Sequence, residues 1–283
     1  MNPPFSIGSP ALTLFDSRAD SRSWTPTVPV LRLLTWNVQH ASPERARRQG
    51  AWLADSDADV LVLTEVSESD GGRALAQALH ESGFTTYTPT GAVQDYRVLL
   101  AARGATLEPV HGVRAPYLPH RCLAARLHAA GLSIGVMGLY VPSRGGKQGR
   151  NVAKRSFQSA VTAVLSELAE KFPSADGPLI VAGDLNVLEP GHQPHHAVFG
   201  AWEYDFYRAF TNAELADAFR HLHPHAVQHS WHGRSGAGYR FDHIFCSRQH
   251  LPQVTDVGYL HEPRLTGLSD HSAMAATVTA TGH

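Results

Sequence analysis

Val181-Ala182-Gly183-Asp184-Leu185-Asn186 is the segment on which the reading of this chain turns. An apolar run over 179–182 stops at a glycine, and a carboxylate and a carboxamide follow two positions apart. Side chains at i and i+2 of a strand share a face, so Asp184 and Asn186 can look into one cleft where a sheet strand ends. An acid and an amide there can hold a water, a hard metal ion or a phosphate oxygen. An Asx-type turn closing the strand accounts for the same residues without chemistry.

The same arrangement recurs outward along the chain. A strand predicted over 31–36 runs into Asn37. A second, over 59–63, is apolar throughout, as expected of burial on both faces, and ends in Thr64-Glu65. A third, over 133–140, ends at Tyr140. A fourth, over 239–247, carries Asp242 and His243, and Asp270-His271 precede a last strand over 273–279. Several carboxylates at buried strand ends are unfavourable unless paired or metal-bound. Gathered in one cleft they form a hard-oxygen site suited to Mg²⁺, which takes carboxylates, amides and water. A histidine beside them transfers protons or stabilises an anion. Carboxylates, amides, one histidine and one tyrosine describe metal-assisted attack of water on a phosphoester. Each residue also has a plainer role open to it: Asn37 as a helix cap, Glu65 as a surface ion-pair partner, Tyr140 at a core edge, Asp242 as a partner of Arg240.

The body of the chain predicts a mixed α/β layered domain, since strands outnumber helices and helices separate only some of them. The clearest helix has Phe157, Ala160, Val161, Val164, Leu165 and Leu168 at helical spacing. Shorter ones are expected over 45–54, 72–82 and 213–221, with strands also over 84–88, 97–102 and 122–128 and a polar, aromatic loop over 188–210. Residues 1–28, proline- and serine-rich and without a period, predict a flexible extension ahead of a single catalytic domain over 29–283. Net charge is -1, which supplies no global pull toward nucleic acid or anionic membrane. Any polyanion must therefore meet a local basic patch. No apolar run approaches a membrane span and no signal peptide is evident. Cys122 and Cys246 make no disulfide framework, so a cytoplasmic protein is expected. The histidine groups at 192–196 and 221–229 lack the spacing of a zinc site and read as loop histidines.

Taken together, LRLLTWNVQ (31–39), DADVLVLTEV (57–66), GLYVPS (138–143), VAGDLNV (181–187), GYRFDHIFCS (238–247) and GLSDHSAM (267–274) resemble, in order, the endonuclease/exonuclease/phosphatase superfamily. Within it the likeness is to exonuclease III-type abasic-site endonucleases. The resemblance implies a four-layer α/β sandwich, two packed mixed β-sheets flanked by helices. It implies Mg²⁺, with Mn²⁺ as a substitute, held by Glu65 with Asn37 and Asp270 close by. Asp184 would orient or deprotonate the attacking water, and Asn186 would hold that water or a phosphate oxygen. His271 would donate to the phosphoryl oxygen with its tautomer fixed by Asp242, and Tyr140 would contact the scissile phosphate or leaving oxygen. DNA is the partner implied. Trp231 would line a sugar pocket. Arg144, Lys147 and Arg150, with Lys154, Arg155, Arg45, Arg47 and Arg48, would track the phosphate backbone. Ser143 stands where nuclease relatives commonly carry Asn, Thr64 replaces a usual Gln, and His243 replaces an aromatic or aliphatic residue. These departures leave a small phosphoester, such as an inositol phosphate or a phospholipid headgroup, as the alternative substrate.

Overall fold

Alternate residues of the first strand serve two different cores. Leu31 and Leu33 join one buried cluster, while Leu34 and Trp36 join another. A strand buried on both faces must lie in a sheet covered on both sides, and this one does. The computed structural model describes residues 29–89, 95–129, 132–145 and 148–279. The extension expected over 1–28 lies outside them, as does Lys147.

The chain forms β1 (Val30–Asn37), α1 (Pro43–Asp55), β2 (Val60–Val66), α2 (Asp70–Glu81), β3 (Phe84–Tyr87), β4 (Arg97–Arg103) and β5 (Thr106–Pro109). There follow β6 (Cys122–Ala129), β7 (Leu132–Tyr140), α3 (Gln148–Lys171), β8 (Leu179–Asp184), α4 (Ala201–Asn212), β9 (Leu215–Asp217) and α5 (Ala218–Leu222). The last elements are β10 (Trp231–His232), β11 (Gly238–Tyr239), β12 (Asp242–Ser247), β13 (Val254–Leu260), α6 (Glu262–Leu265) and β14 (Ala273–Thr279). Among the described residues these strands build two six-stranded sheets, β13-β14-β1-β2-β4-β3 and β5-β6-β7-β8-β12-β9, beside a β10–β11 ribbon. Each large sheet contains one parallel pair, β1–β2 and β7–β8, bridged by α1 and α3 respectively; its other pairs are antiparallel. The architecture is the mixed, two-sheet α/β sandwich expected.

The sheets pack face to face. Leu33, Val62 and Leu100 of one meet Val136, Ile180 and Ile244 of the other in the central core. Gly138 permits this approach, because a Cβ there would stand 2.6 Å from Val98 Cγ1 across the interface. On the outer faces, α1 and α2 cover the first sheet through Leu53, Leu75 and Leu79, and α3 covers the second through Phe157, Val161 and Leu165.

Three local expectations need correction. The polar stretch over 188–210 contains the start of α4, whose Phe206, Tyr207 and Phe210 are buried against the second sheet. The helix expected over 213–221 is instead β9 followed by the single turn of α5. Phe245 and its neighbours pair with 215–217 there, and tertiary pairing overrides local helical periodicity. The strand expected over 239–247 is two strands, β11 and β12, that belong to different sheets. β5 and β13, both short on apolar alternation, went unpredicted.

A buried ion network braces the second sheet. Arg240, fully buried, donates to both oxygens of Glu189 (3.1 and 2.7 Å) and to Asp217 (2.6 Å), and His243 lies 3.4 Å from Asp217. Burial alone would raise the Asp217 carboxyl, but Arg240 and then His243 reverse this and hold it well below the ordinary carboxylate range. Arg240 is thus engaged here rather than with Asp242. Glu189 keeps a second cation, Arg220, which donates to both its oxygens at 2.5 Å, so Arg240→Met would strip its arginine from Asp217 and should cost about 3–5 kcal/mol at pH 7 in urea denaturation. The stability held by an ionised Asp217 is full above its unfolded pKa and is lost as pH falls through its folded one. The gap between variant and wild type should therefore narrow below about pH 4.

Candidate functional site

The inward phase of four strands delivers polar side chains to one end of the sandwich. Residues 31 and 33 face the central core, so Asn37 continues on that face. Ile180 and Ala182 carry Asp184, Val136 carries Tyr140, and Ile244 carries Asp242 by the same period of two. Glu65 is out of phase: Leu61 and Leu63 point to the outer core. It reaches the site because its backbone turns left-handed, at φ 55°, where the β2–β4 pairing breaks register. Asn186 (φ 48°), Gln39 (φ 52°) and His40 (φ 33°) are left-handed as well. Each such non-glycine residue costs about 1–2 kcal/mol, and their gathering here is the pattern of a functional site.

Asn37 sits at the junction of the sheets. Its Nδ2 donates to Glu65 Oε1 (3.1 Å) and to Asp184 Oδ2 (2.9 Å), while its Oδ1 accepts from the Gln39 amide (2.9 Å). The Tyr140 hydroxyl donates to Glu65 Oε1 at 2.8 Å, and the Arg121 guanidinium stacks 4.4 Å over its ring. Burial, then the charges of Glu65 and Asp184, push the Tyr140 phenol well above its usual pKa, so it stays a donor. Asp184 Oδ1 accepts from the Asn186 amide at 2.9 Å, and Asn186 Nδ2 donates to the Val141 carbonyl at 2.9 Å.

Opposite stands His271, whose Nδ1 is 2.7 Å from Asp242 Oδ2. Ser269 and Trp36 fix the turn that presents it: Ser269 Oγ accepts from the His271 amide and donates to the Asn37 carbonyl, and the Trp36 indole donates to the His271 carbonyl. Burial opposes a charge on His271, yet Asp242, and behind it Asp184 and Asp270, lift its pKa to about 10. Asp184 moves the other way from an ordinary acid. Burial, then Asp242, raise it to about 7 against the pull of His271. One ligand atom each from Asp184, Asp242 and His271 lies within 4.8 Å of the others.

These groups open on a cavity of about 640 Å³. Polar Glu65, Asp184, Asn186, Asp270 and His271 line it together with the aromatic Phe199, Trp231, Tyr239 and Phe241. Trp231 donates its indole N–H to Asp270 at 2.9 Å. Phe199, Tyr239 and Phe241 are not among the residues expected at the site, although the last two lie in the 238–247 motif; Tyr239 is placed by the β10–β11 ribbon.

Among the described residues, the cations expected along a phosphate track do not gather along one surface. Arg144 lines the cavity but is ion-paired with Glu203 at 2.6 Å. Lys154 is fully buried, donating to the same Glu203 at 2.5 Å and to the Asn186 carbonyl at 2.7 Å, so it braces the loop instead of meeting solvent. Arg155 packs on Trp202, and Arg45 is tied to Gln39. Arg47, Arg48 and Arg150 are exposed, and Arg150 lies outside the cavity lining. The buried Lys154–Glu203 pair was not foreseen, because nothing in a lysine's local sequence marks it as buried. Rings of His192, His196, His229 and His232 do gather, with centroids 5.5–5.7 Å apart along the chain of contacts. Both nitrogens of His192 are already bonded, to the Pro194 carbonyl and the Arg240 amide.

No helix among the described residues is long and apolar enough to cross a membrane. No curated protein matches the sequence. Solved structures do match the fold. An AP endonuclease from Archaeoglobus fulgidus shares 21% identity at a TM-score of 0.71, over 89% of this chain and 100% of that one. An AP endonuclease from Leishmania major shares 21% at 0.72, over 93% and 92%. The 3′ phosphatase NExo from Neisseria, bound to a product DNA hairpin, shares 20% at 0.69, over 87% and 98%. At this identity the likeness is one of fold. The model of the endonuclease/exonuclease/phosphatase family, however, matches residues 34–271, which holds every strand end described above. The chain therefore belongs to the endonuclease/exonuclease/phosphatase family and is a hydrolase of that family.

Proposed function

We propose that the chain is a divalent-metal-dependent phosphodiesterase that cleaves DNA at abasic sites or trims its 3′ ends. The observation that carries the reading is the Asn37 amide held between Glu65 and Asp184, with the His271–Asp242 pair beside Asp184, ligand atoms of the three within 4.8 Å of one another. The donor set fits a hard cation. Asp184 is lifted to about 7 by burial and by neighbouring carboxylates, and the buried Asp242 Oδ1 has no hydrogen-bond partner among the described residues. Both are signs of negative charge in excess of the local cations. Glu65, with Asn37 and Asp270 nearby, would hold Mg²⁺ or Mn²⁺, which when bound would draw charge from a phosphoryl oxygen.

The residues then divide the work. Asp184, with its pKa near neutrality, takes the proton of an attacking water that Asn186 helps to orient. His271 stays protonated and donates to the phosphoryl oxygen as its charge grows. Asp242 holds the Nδ1 proton and so fixes which nitrogen faces substrate. Tyr140 steadies Glu65 with its one O–H, and would turn that same proton toward the leaving oxygen once a cation takes up the Glu65 charge. The aromatic wall around Trp231 would receive an unpaired sugar or terminal nucleotide. The three structural neighbours, two AP endonucleases and a 3′ phosphatase with a DNA hairpin, support DNA as substrate. A small phosphoester is the second reading, favoured by one fact: Arg144, the cavity's arginine, is already paired to Glu203.

A panel of abasic duplex, intact duplex, 3′-phosphorylated end and inositol phosphate, each with divalent ion and with EDTA, tests the proposal. Chelator-sensitive cleavage of the first or third is expected, and turnover of the inositol phosphate alone would select the second reading. Asp184→Asn and His271→Ala should each lower kcat by about 10²–10⁴; the urea midpoint should stay nearly unchanged in Asp184→Asn and fall in His271→Ala, which leaves the buried Asp242 without its cation. In metal-free protein, the His271 ring should remain protonated by ¹⁵N NMR at pH 8. Asp242→Asn should bring its titration down toward the ordinary value of about 6.5, since the carboxylate that holds the proton is gone.

A further inference from the structure

We propose that His40 supplies a nitrogen ligand to the cation at Glu65, and that this site prefers a first-row transition ion such as Mn²⁺ over Mg²⁺. The inference rests on the reading that Glu65 holds a divalent cation.

The two oxygens of Glu65 are not equivalent. Oε1 already accepts from Asn37 and Tyr140. Among the described residues, Oε2 meets only His40 Nδ1, at 3.3 Å. That is long for a hydrogen bond to a carboxylate, which closes to about 2.7–2.9 Å when charge-assisted. It suits two neighbouring ligands of one ion, which stand roughly 3 Å apart when each is about 2.1 Å from the metal. His40 Nε2 has no partner among the described residues, so the tautomer that leaves Nδ1 a lone pair is open to it.

The ring is placed, not merely nearby. The His40 amide donates to the Glu65 carbonyl at 3.1 Å, and Arg45 grips Gln39 through both its carbonyl and its side chain. These bonds hold Gln39 and His40 in their left-handed turn. The imidazole stacks on Tyr96, with centroids 4.7 Å apart and planes 17° apart. Tyr96 is positioned in turn by Asp95, which accepts its amide and is clamped by His120 and Arg121. A stacked imidazole with one nitrogen directed at a carboxylate oxygen is half of a mixed nitrogen–oxygen metal site. Mg²⁺ takes oxygen ligands and dehydrates reluctantly; the first-row transition ions take imidazole in increasing measure along the series, with Mn²⁺ its weakest member. The nitrogen would therefore tilt an otherwise all-oxygen site toward the transition ion.

The test titrates full-length wild type, His40→Ala, His40→Gln and Glu65→Ala with Mn²⁺ alone and with Mg²⁺ alone. Free Mn²⁺ is read by its EPR signal and Mg²⁺ by calorimetry. Wild type should bind Mn²⁺ at least tenfold more tightly, and both His40 variants should lose roughly tenfold for Mn²⁺ but less than about twofold for Mg²⁺. A ¹⁴N coupling in the ENDOR spectrum of the Mn²⁺-loaded protein should vanish in His40→Ala. Equal losses for the two ions would reduce His40 to a group that steers Glu65, and no loss would remove it from the site; either overturns the proposal. Undiminished Mn²⁺ binding by Glu65→Ala would overturn the underlying reading itself, a result distinct from failure of the His40 variants alone.

Discussion

One carboxamide joins the two halves of this molecule where its chemistry is concentrated. Asn37 closes β1 of the first sheet and hydrogen-bonds a carboxylate of its own sheet, Glu65, and one of the opposite sheet, Asp184. It is completely buried, so those bonds have no water to replace them. The bonds hold only if the sheets approach closely at this end, which the small residue Gly138 allows at their centre. Packing of the central core and spacing of the site are thus a single requirement. Any change that separates the sheets also separates Glu65 from Asp184.

Much of this was legible in the chain as written. A period of two, carried from apolar strand interiors to polar strand ends, brings Asn37, Tyr140, Asp184 and Asp242 to one face without further information. The layered α/β class followed from runs of strands interrupted by a few helices. Glu65 is different: strand alternation turns it outward, and only a left-handed backbone at Glu65 itself brings it in. No residue type announces that conformation when it is not glycine. His40 escaped notice for the same reason, since its place depends on two successive left-handed residues and on a ring, Tyr96, 56 positions away in the chain. The basic residues misled in the opposite direction. Lys154 and Arg155 are neighbours in sequence, but one is sealed under α4 beside Glu203 and the other lies on Trp202. Charge can be read from a sequence; which charges remain available to a ligand depends on tertiary partners.

The support of the site is layered outward in an orderly way. Asp242 holds His271, and the Asp242 carbonyl is held by the Tyr259 hydroxyl at 2.7 Å. The amides of Phe241 and Asp242 both donate to Ser230 Oγ, whose own carbonyl accepts from Ser272, next to His271. Two residues before Asp242, Arg240 enters the ion network with Glu189 and Asp217. Strand β12, which carries Asp242, is therefore fixed on both flanks by polar groups rather than by apolar packing alone. That arrangement restricts a histidine ring to one orientation better than a fluid hydrophobic contact would.

The pairing of β1 with β14 sets Val30 opposite Thr279, at the two extremes of the described chain. β1 can complete its ladder only after nearly every other strand has been synthesised, so the first sheet closes across the largest sequence separation available. On the ribosome, the Glu65 side of the cleft waits on the segment that brings His271. A nascent chain would carry its acidic residues without the imidazole they face, and hydrolytic competence would arrive with the last strand, in one step, rather than accumulate along the way.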